Sequence, residues 1–231
     1  EAPLVPSGTI FFSGCNFKCV FCQNDDISTN PGAGMVVNPT KLSHIAKSLK
    51  GDGARNINYV GGDPIPNLHV IIESLKYQDD NITQLWNSNF YNTMDALNLL
   101  ADVMDFWLPD LKYGNSECAK RLSLVDDYWE VLTRNLKHVH DQMVGKEWAS
   151  LVIRHLVLPD HVQCCSFPII NWVSENLPNA MINIMGQYRP THKVPRNPEK
   201  YSEITRRPSR DELLRVKNLA DELGVAWKAV S

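Results

Sequence analysis

The chain has 231 residues, of which 43% are hydrophobic and 21% charged, which excludes a largely disordered protein and fits one domain with an ordinary core. Its 23 basic and 26 acidic side chains give a net charge of −3, so binding to nucleic acid is not expected. No stretch approaches the ~18 to 20 apolar residues of a membrane span, and the first residues lack the pattern of a signal peptide. We expect one cytoplasmic domain over residues 1–231 without a membrane partner, and a preceding segment because the chain does not begin with Met.

Short apolar runs alternate with stretches of helical periodicity, which is typical of repeated βα units around a parallel sheet. The predicted strands are Thr9–Phe12, Asn56–Val60, Gln84–Asn87, Phe106–Asp110, Leu151–Leu158 and Met181–Met185. The predicted helices are 38–49, 66–75, Thr93–Asp102, Asp127–Met143, Phe167–Asn176 and a last one from Ser209 to Gly224 with capping-box spacing. A short strand over Val225–Val230 follows, so that 209–230 form a terminal helix and strand.

Six βα units predict an α/β fold, a partial (β/α)6 barrel, since a complete barrel usually needs ~250 residues. An open, doubly wound sheet is the alternative. In both architectures, ligands bind at the carboxyl ends of the strands. The irregular segment 187–208 is long enough to form a functional loop over the mouth of the barrel.

Residues 13–24 directly follow the first strand and form a loop that carries three cysteines, Cys15, Cys19 and Cys22. We call this segment the cluster loop, because three thiolates can bind three irons of an iron–sulfur cube and leave the fourth iron open. A zinc site completed by a histidine such as His44, or three buried cysteines, are the alternatives. Zinc is disfavoured because no second Cys-x2-Cys pair is present. The crowding indicates a metal site in a reducing compartment, and the other cysteines are interpreted as small buried hydrophobic residues: Cys118, Cys164 and Cys165.

Polar residues follow the second and third strands. In Gly61-Gly62-Asp63-Pro64, the glycines let the backbone pass close to a ligand, and the carboxylate can accept hydrogen bonds from an ammonium group. A turn that starts a helix is the structural alternative. The run from Asn87 to Asn89 either binds a ligand or closes its strand with a turn.

Charged residues end the fourth strand and begin the most apolar part of the fifth. Alternation places Asp110 and Lys112 on one face, so a barrel-facing Lys112 needs an anion, supplied by Asp110 or by a ligand. A simple Asp–Lys pair is the structural alternative. Arg154 lies in an apolar strand, where a guanidinium needs a partner and binds a carboxylate best.

The pattern Cys-x3-Cys-x-Phe-Cys after a first strand resembles the radical S-adenosylmethionine (SAM) enzymes, in particular their branch similar to pyruvate formate-lyase activating enzyme. The resemblance extends over nearly the whole chain. It includes the stretches Gly61-Gly62-Asp63-Pro64, Trp86-Asn87-Ser88-Asn89, Leu108-Pro109-Asp110-Leu111-Lys112-Tyr113-Gly114, Arg154-His155-Leu156-Val157-Leu158-Pro159 and Gln187-Tyr188-Arg189-Pro190. These motifs are specific for the branch and not for one reaction.

The resemblance implies a partial barrel of the radical SAM type with one 4Fe–4S cluster on Cys15, Cys19 and Cys22, which serve as metal ligands and catalytic residues. SAM would chelate the open iron, with its amino group at Asp63 and its carboxylate at Lys112 or Arg154. The full set of implied cofactor-binding residues is Phe21, Asn24, Gly61, Gly62, Asp63, Asn87, Asn89, Asp110, Lys112, Arg154 and Gln187. In related activases, the segment at Asn87 and Asp110 can also hold a monovalent cation.

The implied activity is reductive cleavage of SAM to a 5′-deoxyadenosyl radical that abstracts hydrogen, with a glycine of a partner protein as the activase-like target. Modification of a small molecule or a peptide side chain is one alternative, and a non-enzymatic iron–sulfur or zinc protein is another. The resemblance also implies an electron donor such as flavodoxin or ferredoxin. Because no cysteine lies between Cys22 and Gly61, a ferredoxin-like insert is missing there and one cluster is expected.

Overall fold

The fold is a single sheet of parallel strands with helices on its outer side. The computed structural model describes residues 5–78, 82–143 and 150–228. Within these ranges the strands are β1 Ser7–Phe12, β2 Asn56–Gly61, β3 Thr83–Ser88, β4 Phe106–Pro109, β5 Ser150–Leu156, β6 Met181–Met185 and β7 Trp227–Lys228. The helices are α1 Asp25–Ser28, α2 Pro39–Gly51, α3 Leu68–Leu75, α4 Met94–Ala101, α5 Ser116–Ser123, α6 Tyr128–Met143, α7 Phe167–Asn176 and α8 Arg210–Glu222.

The strands pair in sequential order from β1 to β7, and every pair is parallel. A doubly wound sheet reverses its strand order at a switch point, so the sequential order excludes that alternative and confirms the partial α/β barrel. The seventh strand is the predicted terminal strand, shortened to Trp227–Lys228. The rest of that prediction, 229–230, lies outside the described residues.

Local sequence signals explain where the long helices begin. The Asn38 side chain accepts a hydrogen bond from Lys41 N before Pro39 starts α2. Ser209 and Glu212 form the predicted capping box at α8, with Glu212 N donating to Ser209 Oγ at 3.1 Å. Helices α1 and α5 were not predicted. The signal for α5 was its N-cap Asn115, whose side chain accepts from Cys118 N at 2.7 Å.

The predicted irregular segment 187–208 is irregular except for a short 3-10 turn over Ser202–Ile204. It packs closely on the barrel, because Tyr188, Val194 and Ile204 are fully buried. None of the helices in the described ranges is long and apolar enough to cross a bilayer.

Candidate functional site

The predicted site residues meet in one cavity of about 200 Å³ at the carboxyl ends of β1 to β5. All of them except Gln187 line this cavity: Cys15, Cys19, Phe21, Cys22, Asn24, Gly61, Gly62, Asp63, Asn87, Asn89, Asp110, Lys112 and Arg154. Gln187 lines an adjoining pocket of about 90 Å³ that shares Asp110, Lys112 and Arg154 with the first. Parallel strands explain this convergence, since their carboxyl ends lie at the same edge of the barrel.

The backbone of the cluster loop is held from two sides. On one side, Lys18 N donates to Ser123 O at 3.0 Å and Val20 N to Leu122 O at 2.8 Å, both at the end of α5. On the other side, Lys193 N donates to Val20 O at 2.9 Å. These three backbone bonds anchor the loop without involving its thiols.

The thiols receive hydrogen bonds of the kind that tune iron–sulfur clusters. Ser123 Oγ donates to Cys19 Sγ at 3.0 Å, and Phe17 N donates to Cys15 Sγ at 3.3 Å. Burial, and after it the nearby Asp63, raises the pKa of Cys15 to about 12, and burial also raises the pKa of Cys19. Both thiols are therefore protonated at neutral pH without a metal, and metal binding would release their protons.

The donor set fits a multi-iron cluster better than a single ion. In the described ranges, no group of three His, Cys, Asp or Glu ligand atoms close enough for one ion includes Cys15, Cys19 or Cys22. His44, the predicted partner of a zinc alternative, is exposed on α2. Three thiols that line one cavity without being clustered tightly suit ligands to three different irons.

The two glycines after β2 allow the backbone to approach the cluster loop itself. A Cβ on Gly61, which has a φ of +138°, would lie 2.3 Å from Phe12 O, and one on Gly62 would lie 2.2 Å from Gly14 O. Gly62 N also donates to Phe12 O at 2.8 Å. The two glycines thus allow a close approach between the backbone after β2 and the backbone of residues 12–14.

Gly62→Ala is expected to lower the free energy of unfolding by about 3 kcal/mol, because the methyl group would collide with a backbone oxygen that cannot move aside. Urea unfolding measures this difference. Gly51→Ala at the end of α2 is the matched control, since its Cβ meets nothing within 4 Å. Equal stability of the two variants would contradict the packing argument.

Asp63 is almost fully buried, and its carboxylate is occupied by the protein. Asn89 N donates to Oδ2 at 2.7 Å, and Ile65 N and Ser88 Oγ donate to Oδ1 at 3.0 and 3.2 Å. Burial raises the pKa of Asp63 to about 6. The bond from Ile65 N closes the turn considered as the structural alternative, and the bonds from Ser88 and Asn89 also tie Asp63 to the turn after β3.

Asn89 links the turn after β3 to the cluster loop. Its side chain donates to Asn16 Oδ1 at 2.6 Å and lies 3.6 Å from Cys15 Sγ. The polar residues after β3 therefore connect Asp63 to the cluster loop near its first cysteine.

Asp110, Lys112 and Arg154 form a half-buried charged group with one more cation than anion. Lys112 Nζ donates to Asp110 Oδ2 at 2.6 Å, and Arg154 Nε lies 3.4 Å from Asp110 Oδ1. Burial opposes ionisation of Asp110, but Arg154 and Lys112 outweigh it and lower its pKa. Alternation thus predicted the Asp110–Lys112 contact correctly, and the excess positive charge can bind an anion from the cavity.

The remaining predicted residues are placed as follows. The Phe21 ring is buried in the cavity wall and makes edge contacts with Tyr188 and Tyr113, so it joins the cavity to an aromatic cluster. Asn24 and Gln187 are exposed at the rim. The monovalent cation stays a prediction, and Asn87 Oδ1 accepts a hydrogen bond from Arg154.

The sequence did not reveal the contacts made across the barrel. Tyr128 Oη accepts from Lys112 N at 2.7 Å, and His192 Nδ1 lies 2.9 Å from Asp25 Oδ2 beside the cavity. For Ser123, the sequence signal was indirect: Asn115 is the N-cap of α5, and Ser123 is the last residue of that helix. His192 lies in a motif region, just after Gln187-Tyr188-Arg189-Pro190, but nothing in the sequence indicates its contact with Asp25, and Tyr128 lies in no motif.

The family is shown by comparison with known sequences. The model of the Radical SAM superfamily matches residues 9–163, more than half of the chain. A curated relative, Uncharacterized protein MJ0674 of Methanocaldococcus jannaschii, is 44% identical over 228 residues. The match covers 96% of this chain and 64% of the relative, so the chain spans less than two thirds of that protein's length.

Solved structures share the fold at low identity. SuiB of Streptococcus suis, bound to S-adenosylmethionine, has a TM-score of 0.71 at 12% identity, over 96% of this chain and 50% of its own. A radical SAM methyltransferase of Sphaerobacter thermophilus has a TM-score of 0.67 at 12% identity, over 96% and 65%. A domain of pyruvate-formate lyase-activating enzyme of Bacteroides vulgatus has a TM-score of 0.59 at 14% identity, over 76% and 99%. The superfamily match begins in β1 and includes the cluster loop and the ends of β2 to β5. The chain therefore belongs to the radical SAM superfamily.

Proposed function

We propose that this protein is an enzyme that binds one 4Fe–4S cluster through Cys15, Cys19 and Cys22 and cleaves SAM reductively. When bound, the reduced cluster would supply the electron that yields methionine and a 5′-deoxyadenosyl radical for hydrogen abstraction. One observation carries the proposal: three thiols and a group with excess positive charge face the same cavity. SuiB, which shares the fold, has been crystallised with SAM.

The residues of the chain would bind and orient the cofactor. Lys112 and Arg154 offer an anion site for its carboxylate, with Asp110 holding both cations in place. Asp63 fixes the turn at Ser88 and Asn89, so those side chains are positioned before the ligand arrives. A carrier protein without a small-molecule ligand would not need such an anion site beside its thiols, which disfavours the non-enzymatic alternative.

We further propose an activase-like target, a glycine of a partner protein, with flavodoxin or ferredoxin as electron donor. The motifs of the activase-like branch and the likeness to the activating-enzyme domain of Bacteroides vulgatus support this choice. A peptide side chain is the second candidate, favoured by the likeness to SuiB, which has been crystallised with its precursor peptide.

The decisive experiment is anaerobic reconstitution with iron and sulfide, followed by reduction in the presence of SAM. Formation of 5′-deoxyadenosine and methionine in equal amounts is expected, and SAM should alter the electron paramagnetic resonance spectrum of the reduced cluster. A filled cluster that neither responds to SAM nor gives either product would overturn the proposal.

Ser123→Ala is expected to make the reduction potential of the cluster more negative, because the variant loses the hydroxyl that donates to Cys19 Sγ. Spectroscopic redox titration measures the shift. Ser116→Ala, at the opposite end of α5, is the matched control and should leave the potential unchanged. Equal potentials in wild type and Ser123→Ala would place Cys19 away from the cluster.

A further inference from the structure

A second group of thiol and imidazole ligands lies outside the cavity just described. The ligand atoms of Cys118, His161 and Cys164 all lie within 4.8 Å of one another. Cys118 belongs to α5, after β4, whereas His161 and Cys164 belong to the segment after β5. The interpretation of these cysteines as buried hydrophobic residues is wrong for Cys164, which is exposed, and for Cys118, which is half-buried.

The sulfur separations in this group suit a single metal ion. Cys118 Sγ and Cys164 Sγ are 3.9 Å apart. Two thiolates bound tetrahedrally at ~2.3 Å from one zinc lie about 3.8 Å apart, and a disulfide would need ~2.05 Å. Thiolates bound to different irons of a cluster lie farther apart than these two.

His161 is oriented as a ligand. Its ring is buried, and Nδ1 lies 2.9 Å from Pro159 O, which accepts the Nδ1 proton. In the neutral ring, this contact leaves the lone pair of Nε2 available to a metal, and a backbone carbonyl on the second ring nitrogen is the usual partner of a metal-binding histidine.

The two segments that carry the ligands are fixed to each other by the protein. Asn115 Nδ2 donates to Cys164 O at 2.6 Å, and Asn115 Oδ1 accepts from Cys118 N at 2.7 Å, so one side chain joins both. A Cβ on Gly114 would lie 2.5 Å from Cys165 O, so the backbones touch here. The turn Val162–Ser166 is π-helical, a local geometry frequent at functional sites.

We propose that Cys118, His161 and Cys164 bind one thiolate-preferring divalent ion of the Zn²⁺ class, with the fourth position open to solvent. Exposure of Cys164 leaves that position accessible. Cys165 Sγ lies 3.8 Å from Cys164 Sγ but falls outside the close group, so the proposed site does not include it. The ion would join the segments after β4 and β5 and hold the start of α5, whose other end contacts the cluster loop.

The test uses the full chain purified anaerobically, with zinc and iron measured per chain and Co²⁺ titrated into metal-depleted protein. We expect one zinc per chain and, with Co²⁺, the intense visible bands of a tetrahedral thiolate complex. Absence of tetrahedral Co²⁺ binding in the wild type, or a Cys118–Cys164 disulfide in protein that takes up no zinc, would overturn the proposal.

Variants assign the ligands and separate this site from the cluster. Cys118→Ser and Cys164→Ser should each lose about half of the thiolate-to-cobalt band intensity, because each removes one of two sulfurs. Cys165→Ala should keep the full thiolate-to-cobalt band. A weaker band in this variant would overturn the three-ligand assignment. Cys19→Ala should lose iron and keep Co²⁺ binding, so failure of the cluster proposal and failure of this one give different results.

Discussion

Cys19→Ala is expected to reduce the iron content of the anaerobically reconstituted protein from about four per chain to near zero. Two remaining thiols cannot retain a cube that needs three protein ligands. The fold should survive, because the cluster loop is anchored by backbone bonds at Lys18, Val20 and Lys193 and not by the thiol. Iron and acid-labile sulfide per chain measure the loss, and far-ultraviolet circular dichroism measures the fold.

Formation of 5′-deoxyadenosine should disappear together with the iron. Cys165→Ala is the matched control, since it also removes one thiol but lies outside the cavity and outside the three proposed zinc ligands, and it should keep both iron and turnover. Four irons per chain and normal turnover in Cys19→Ala would contradict the assignment of this cysteine.

The positions of the strand-end residues could be predicted because parallel sheets follow simple periodic rules. Alternation with a period of two placed Asp110 and Lys112 on one face, and the structure joins them at 2.6 Å. The prediction that both end the fourth strand is wrong, because β4 ends at Pro109 and Asp110 continues it only as an isolated bridge to Arg154. Sequential βα units brought the ends of β1 to β5 to one edge. Both rules act within an element or between neighbouring strands, which is the range over which a single sequence is informative.

Contacts between distant segments could not be predicted in this way. Ser123 and Cys19 are 104 positions apart, and their contact depends on α5, an eight-residue helix that was not predicted. The role of Asp63 is similar, because only the fold brings Ser88 and Asn89 to its carboxylate. Sequence placed this residue at the site, and only the fold shows its contacts with the turn after β3.

The sequence contains a short-range signal for the second thiol group, which consists of Cys118, His161 and Cys164. His161 and Cys164 have a spacing of three residues, which places both side chains on one side of a helical turn. The third member, Cys118, lies 46 positions from Cys164 and joins them only because β4 and β5 are neighbours. A pair of ligands on one turn and a lone cysteine after the adjacent strand is a pattern that βα topology makes meaningful.

Lys112→Met is expected to weaken SAM binding to the reconstituted protein by about 2 to 5 kcal/mol, or about 30-fold to several thousand-fold. The substitution removes the cation that pairs with the half-buried Asp110. Of the charged group, Arg154 alone then remains to balance both the Asp110 carboxylate and the carboxylate of the ligand. Equilibrium dialysis or calorimetry under anaerobic conditions measures the affinity. Lys120→Met is the matched control, because its pair with Asp126 is exposed on the surface and should not affect binding. Unchanged affinity in Lys112→Met would show that the carboxylate binds elsewhere and that the charged group has a structural role.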